Sequence, residues 1–251
     1  MDPAILEKLR EYADRRIGDF HRQRRQLLNE LCLDEVLPVS FCLFSAQSTI
    51  KPVVKLIDEF LASYLSQYEE ELFGAFLRDL AVCTVETTCI GHRSTEPGVD
   101  LELVSNGIHY IISIKSGPNW GNSSQQDKLE EDLKNAVARV KQSKRGANVQ
   151  PVLGICYGKT RTGYLRGYLK VVGQNFWYLI SGNRDLYTDI IEPIGYRAKE
   201  HNDTFVAEKG KVMNRFTKQF IERFCDESGM IDWRRLIEFN SGNFDLDKFL
   251  P

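Results

Sequence analysis

Gly98-Val-Asp-Leu-Glu-Leu-Val-Ser-Asn-Gly-Ile-His-Tyr-Ile-Ile-Ser-Ile-Lys-Ser-Gly-Pro-Asn-Trp-Gly-Asn-Ser-Ser124 decides how this chain is read. Two apolar-alternating runs flank Asn106-Gly107, a strong signal for a two-residue hairpin turn. With a tight turn, directly opposed residues have numbers summing to 213, so Asp100 faces Ser113 and Gly98 faces Lys115. Side chains alternate along each strand, and opposed residues share a face. Val99, Leu101 and Leu103 therefore join Tyr110, Ile112 and Ile114 on an apolar face expected to build core. Asp100 and Glu102 join Ser113 and Lys115 on the other, which is left for chemistry or for solvent. Ser116 to Ser124 then follows at once, with two glycines, short polar side chains and the flat Trp120. Glycines permit close backbone approach, and short donors and acceptors suit a phosphate backbone or base edges.

Asp100, followed thirteen residues later by Ser113-Ile114-Lys115, resembles the core of the PD-(D/E)xK nucleases. More narrowly, Gly98 to Glu102, Ile114 to Gln125 and Asn214-Arg-Phe-Thr217 are similar to the restriction endonucleases grouped with PmeII. The likeness runs from the Gly18-Asp-Phe-His21 region to Phe239-Asn-Ser241, and its most specific part is Lys115 to Gln125. The resemblance implies an α/β fold with a restriction-endonuclease-like αβββαβ core, a mixed sheet flanked by helices, and helical N- and C-terminal extensions. It implies a Type II site-specific deoxyribonuclease that hydrolyses double-stranded DNA with Mg²⁺, the alternatives being a DNA repair or junction nuclease of the same fold and a catalytically inactive DNA-binding relic of it. A homodimer would cut both strands of a palindrome, and a cognate methyltransferase would protect host sites. Asp100 and the main-chain carbonyl of Ile114 are then the metal ligands, and Lys115 orients or deprotonates the attacking water.

One position departs from the pattern. Ser113 stands where the first acid of the (D/E)xK tripeptide is expected, so a ligand must come from elsewhere. Glu102 is the nearest replacement, on the predicted face of Asp100. Glu70, in Glu69-Glu70-Glu71-Leu-Phe-Gly74 on the preceding helix, is the second candidate for both catalysis and metal binding. Such an acidic run also stabilises a helix start by about 0.3–1 kcal/mol per charge with no metal involved. Gln125 and Asp127 are further options on the following helix. The expected DNA contacts are Ser116, Asn119, Trp120, Asn122, Ser123, Ser124 and Gln125, with Lys159 and Arg161 from the glycine-rich basic stretch after the apolar run Pro151 to Tyr157. Trp120 either fills a core pocket behind its loop or stacks at the DNA.

The 251 residues and 42% hydrophobic content suit one compact unit with a good core. A net charge of −2 provides no general basic footprint, so any nucleic-acid surface must be local. The local groups are Arg15-Arg16, Arg22 with Arg24-Arg25, Lys141 with Lys144-Arg145, and Lys159 with Arg161 and Arg166. Six cysteines (Cys32, Cys42, Cys83, Cys89, Cys156 and Cys225) lack paired spacing, which points to reduced thiols in a cytoplasmic protein rather than zinc or disulfides. His21, His92, His109 and His201 have no zinc-like spacing either. No apolar run approaches the ~20 residues of a membrane span, and Met1-Asp-Pro-Ala is no secretory start.

Periodicity predicts helices over residues 3–31, 52–65 and 68–80, a first strand over 81–90, then the hairpin. A helix over 124–140, a strand around Val152 and an added strand at 168–172 follow. Helices are expected over 174–180, 186–199, 203–225 and 232–239, with Phe205, Val212, Phe216, Phe220 and Phe224 as a packed stripe. The expected organisation is one nuclease domain over 1–251, with a helical part to 65, the catalytic core over 66–172 and a helical part over 173–251.

Overall fold

A computed structural model describes residues 1–37, 52–88, 90–242 and 248, with side chains described outside 191–202. Helices α1 (Pro3–Glu30), α2 (Leu33–Val36) and α3 (Val53–Thr87) precede β1 (Gly91–Arg93), β2 (Leu101–Ser105) and β3 (Ile108–Lys115). Helix α4 (Ser123–Ser143) joins β3 to β4 (Asn148–Ile155), and β5 (Gly163–Leu165) and β6 (Tyr168–Val172) complete one sheet. Helices α5 (Gln174–Ser181), α6 (Leu186–Phe224) and α7 (Trp233–Asn240) follow. The sheet order is β1-β2-β3-β4-β6-β5. Strands β1, β2 and β3 pair antiparallel, β3, β4 and β6 pair parallel, and β5 runs antiparallel to β6. The run α3-β1-β2-β3-α4-β4 is the expected αβββαβ core, with helical segments before and after it.

The described chain divides into two compact units, one of Met1–His21 with Glu70–Glu200, the other of Arg22–Glu69 with His201–Pro251. The sheet lies in the first unit. Leu28, Leu56, Phe60 and Leu61 pack with Phe205, Val212, Phe216, Phe220 and Phe224 to form the core of the second. The aromatic stripe of α6 is thus internal packing.

The hairpin register is the predicted one from Leu101 to Ser105, with Leu101 paired to Ile112 and Glu102 to Ile111. Asp100 departs from it: its amide bonds the Ile112 carbonyl, and it does not stand opposite Ser113 in the ladder. Asn106 (φ 51°) and Gly107 (φ 74°) both occupy positive φ, the type I′ turn whose twist matches the strands it joins. The facial assignment needs correction in two respects. Leu101, Leu103, Ile112 and Ile114 do face a core with α3 (Phe76, Leu77, Leu80), but the opposite face is no open surface. Helix α4 covers it with Leu129, Leu133, Ala136 and Val140, against Ile111, Leu153 and Ile155. Parallel strands need a crossover, and the crossover helix seals the face it crosses. Val99 also joins this α4 side rather than the side of Leu101, so strict alternation ends where β2 begins.

The predicted first strand over 81–90 is mostly helix; Cys89, like Cys42, lies outside the described residues. Leu77, Leu80, Ala81, Thr84 and Val85 are buried at three- and four-residue spacing, one helical stripe that the β-branched composition disguised. Thr84 Oγ1 donates to the Leu80 carbonyl at 2.8 Å and Thr88 Oγ1 to that of Thr84 at 2.9 Å, which absorbs the hydroxyls inside the helix. The expected breaks at 65–68 and 199–203 are also absent: α3 and α6 run on through both. The β5–β6 hairpin adds an edge strand that the sequence reading lacked.

Strand β1 can approach β2 only because Gly91 has no side chain. A Cβ there would overlap the Glu102 carbonyl oxygen and crowd Leu103 and Val85. Backbone cannot yield as a flexible side chain can. Gly91→Ala is therefore expected to destabilise the fold by about 1–3 kcal/mol, read as a lowered chemical-denaturation midpoint.

Candidate active site

Asp100 sits where β2 enters the sheet, and its amide donates to the Ile112 carbonyl at 2.9 Å. Its carboxylate turns to the neighbouring strand: Oδ2 accepts the Ile114 amide at 2.6 Å. The Lys115 carbonyl accepts from the Cys156 amide at 2.9 Å, so Lys115 directs its peptide groups toward β4. Peptide groups alternate sides along a strand, and those of Ile114 therefore face β2 and Asp100. The Ile114 carbonyl therefore points to the side on which the Asp100 carboxylate lies, one residue before Lys115. Lys115 ends β3 opposite Ile155, at the carboxyl ends of two parallel strands, the end at which open α/β sheets gather ligands. Its ammonium lies 5.1 Å from the centroid of the Trp120 ring, a cation–π contact that steadies a half-buried side chain. Trp120 itself packs against the α4-side core, which leaves it between the two alternatives read from the sequence.

Helix α3 approaches the same strand end. A Cβ on Gly74 would lie 3.2 Å from Ser116 Oγ, so the missing side chain brings the helix against the residue after Lys115. Residues four apart lie on one helix face, which aligns Glu70, Gly74 and Arg78. At one end of this stripe Arg78 Nε is 3.5 Å from Asp100 Oδ1. At the other, Glu70 is exposed one turn beyond the Ser116 contact. The neighbouring Glu69 is engaged with Arg24 instead. Arg78 is the residue here that sequence reasoning did not single out. Its signal was the spacing from Glu70, legible only once the helix is known to face the hairpin end.

Glu102 is placed differently. It is buried, as is Ser113, which is 2% exposed. Ser94 Oγ donates to its Oε1 at 2.7 Å, and His109 Nε2 lies 2.8 Å from its Oε2. Burial alone would raise the Glu102 pKa, but the Ser94 and His109 hydrogen bonds and the charges of His109 and His92 outweigh it and hold the carboxyl below its ordinary value. A depressed carboxylate stabilises the fold above the ordinary carboxylate range and loses that contribution as pH falls through its lowered folded value. Glu102→Gln should therefore cost about 1.5–3 kcal/mol at neutral pH. Melting curves of both proteins should converge on acidification below the folded pKa of Glu102.

The loop block has two kinds of residue. Asn122 Oδ1 accepts the Gln125 amide at 3.1 Å and Gln125 Oε1 accepts the Asn122 amide at 2.9 Å, a capping box that starts α4. Asn119, Ser123 and Ser124 are exposed, and Ser116 is half-buried beside α3. A second loop lies alongside. A Cβ on Gly117 would lie 3.0 Å from the Tyr157 ring, and one on Gly158 would lie 2.9 Å from Pro118. This contact carries the exposed Lys159 and Arg161 to the same sheet end. Of the other basic groups, Arg16 is paired with Asp79, Arg25 with Glu208 and Arg166 with Asp127. Among the described residues Lys159 and Arg161 have no ion-pair partner.

Among the described residues no three His, Cys, Asp or Glu side chains gather to hold a metal ion. Asp127 is occupied with Arg166, and Cys32, Cys83, Cys156 and Cys225 are free thiols. The hard oxygens of Asp100 and the Ile114 carbonyl nevertheless fit Mg²⁺, which is commonly held by one or two carboxylates together with waters and substrate phosphates. No described helix is long and apolar enough to cross a membrane.

A sequence model of the family described as Type II restriction endonuclease EcoO109I matches residues 7–202. That span includes α3, the whole sheet, Asp100 and Lys115. Among individually curated proteins, none matches.

Proposed function

The chain belongs to the Type II restriction endonuclease EcoO109I family, and within it we propose a Mg²⁺-dependent, site-specific deoxyribonuclease of PD-(D/E)xK type that hydrolyses double-stranded DNA. The observation that carries this reading is the Asp100 carboxylate bonded to the Ile114 amide, one residue from Lys115. Asp100 and the Ile114 carbonyl would hold the metal, which when bound polarises the scissile phosphate and lowers the pKa of water. Lys115 aligns the attacking water and stabilises the charge that develops on the phosphorus oxygens.

Glu70 is our choice for the acid missing at Ser113, because its helix stripe reaches this strand end at Gly74 and Arg78. Glu102, the other candidate, has both carboxylate oxygens engaged by Ser94 and His109. Ser116, Asn119, Trp120, Ser123 and Ser124 on one loop, and Lys159 and Arg161 on the next, are proposed to contact DNA. Asn122 and Gln125 would contribute chiefly by capping α4. A homodimer acting in the cytoplasm, beside a methyltransferase that protects host sites, completes the proposal, as does the narrower likeness to the PmeII group. The catalytic core is assigned to residues 66–172 of a single nuclease domain over 1–251.

The buried Ser113 favours a second reading, a DNA-binding protein of this fold without chemistry. Digestion of an unmethylated plasmid and phage DNA panel with Mg²⁺ separates the two. Discrete fragments with a shared end sequence support the nuclease. A smear, or cutting confined to branched DNA, replaces it with a repair-type nuclease, and binding without cutting leaves the relic.

A further inference from the structure

We propose that Arg78 is an exchangeable counter-ion: it neutralises Asp100 while the site is empty, and moves its guanidinium to a phosphate of bound DNA when a divalent cation takes its place. The inference rests on the reading of Asp100 as a metal ligand. The two oxygens of Asp100 have different partners. Oδ2 is fixed by the Ile114 amide at 2.6 Å, which leaves Oδ1 to a cation, and Oδ1 is the atom that Arg78 faces.

The contact is loose. Its 3.5 Å separation exceeds the roughly 2.7–2.9 Å of charge-assisted hydrogen bonds. The next residue shows what a permanent pair looks like: Asp79 is clamped by Arg16 at 2.7 Å and by Arg93 at 2.9 Å. Arg78 has no ion-pair partner but Asp100 among the described residues. Its side chain is 45% exposed, so the flexible arm starts at the protein surface and can swing without breaking core packing. The Cys156 thiol, 1% exposed and close enough to feel both Arg78 and Asp100, offers no rival anion. Burial above all, with the Asp100 charge adding and the Arg78 charge opposing, pushes its pKa up to about 12.

A guanidinium and a divalent cation repel each other at one carboxylate oxygen. Arg78 should therefore weaken cation binding to the free protein. A DNA phosphate, which binds a guanidinium fork well, should relieve that repulsion by drawing Arg78 away. Linkage requires the converse: a bound cation strengthens DNA binding through the same residue.

The test titrates Ca²⁺ calorimetrically into wild type, Arg78→Ala, Arg78→Lys and Asp100→Ala, with and without duplex DNA carrying the mapped site. Cleavage with Mg²⁺ is measured in parallel. Arg78→Ala is expected to bind Ca²⁺ about 5- to 20-fold more tightly than wild type without DNA, to lose the DNA-induced gain in affinity, and to cut about 10²-fold more slowly. Arg78→Lys should recover part of each. Unchanged Ca²⁺ affinity in Arg78→Ala overturns the proposal, and so does joint loss of Ca²⁺ binding and cleavage, which would make Arg78 a structural support of Asp100. If Asp100→Ala binds Ca²⁺ and cuts like wild type, the metal site itself has been misassigned, a failure distinct from that of Arg78.

Discussion

Lys115→Ala is expected to slow DNA cleavage by on the order of 10³-fold or more while leaving the fold and DNA retention nearly intact. The reasoning begins with what the side chain touches. Its ammonium meets the Trp120 face and no carboxylate among the described residues, so its removal breaks no buried ion pair. A partly exposed cation–π contact is worth about 0.5–1 kcal/mol, a small change in melting temperature. What disappears is the positive charge at the carboxyl ends of β3 and β4, where Lys115 pairs with Ile155 and where charge would develop in hydrolysis. Lys115→Arg should restore little, because a planar fork cannot replace a compact charge at a water molecule. Single-turnover cleavage beside filter-binding retention of DNA separates the two effects.

Asp100→Asn is expected to abolish cleavage to a similar extent at a smaller structural cost than Asp100→Ala. The amide oxygen of asparagine can still accept the Ile114 N–H now bonded to Oδ2 at 2.6 Å. The strand end therefore keeps its geometry, and the formal charge needed by a hard cation is lost. Alanine removes both, and leaves the Ile114 amide without its acceptor at a cost of about 1–3 kcal/mol. Matched loss of activity with unequal loss of stability would identify charge as the catalytic contribution of Asp100. Denaturant midpoints and initial cleavage rates of the two variants supply that comparison.

Some of this was legible in the residues alone. Asn106-Gly107 signals a tight positive-φ turn, which sets the register of Leu101 to Ser105 against Ile108 to Ile112. The departure of Asp100 from that register, to bond Ile112 and Ile114, was not legible. That both faces are covered was not legible, since alternation reports two faces and not what packs on them. Here α4 covers the second, and the acid nearest to Asp100 in sequence is drawn into a buried network with Ser94 and His109. Val82, Thr84 and Val85 misled for a related reason. Their β-branched composition favours strand, but burial along one stripe of α3 outweighs propensities of a few tenths of a kcal/mol, roughly. The opposition of Arg78 to Asp100 was illegible because it depends on where α3 meets the sheet, and Gly74 shows that only once Ser116 lies against it.

The most direct measurement compares wild type, Asp100→Asn and Lys115→Ala on one unmethylated DNA substrate with Mg²⁺, recording cleavage and DNA retention together. Discrete fragments from wild type, and intact but retained DNA from both variants, is the result expected of a nuclease centred on Asp100 and Lys115. Fragments from either variant at the wild-type rate, or DNA bound and left uncut by all three, would contradict it.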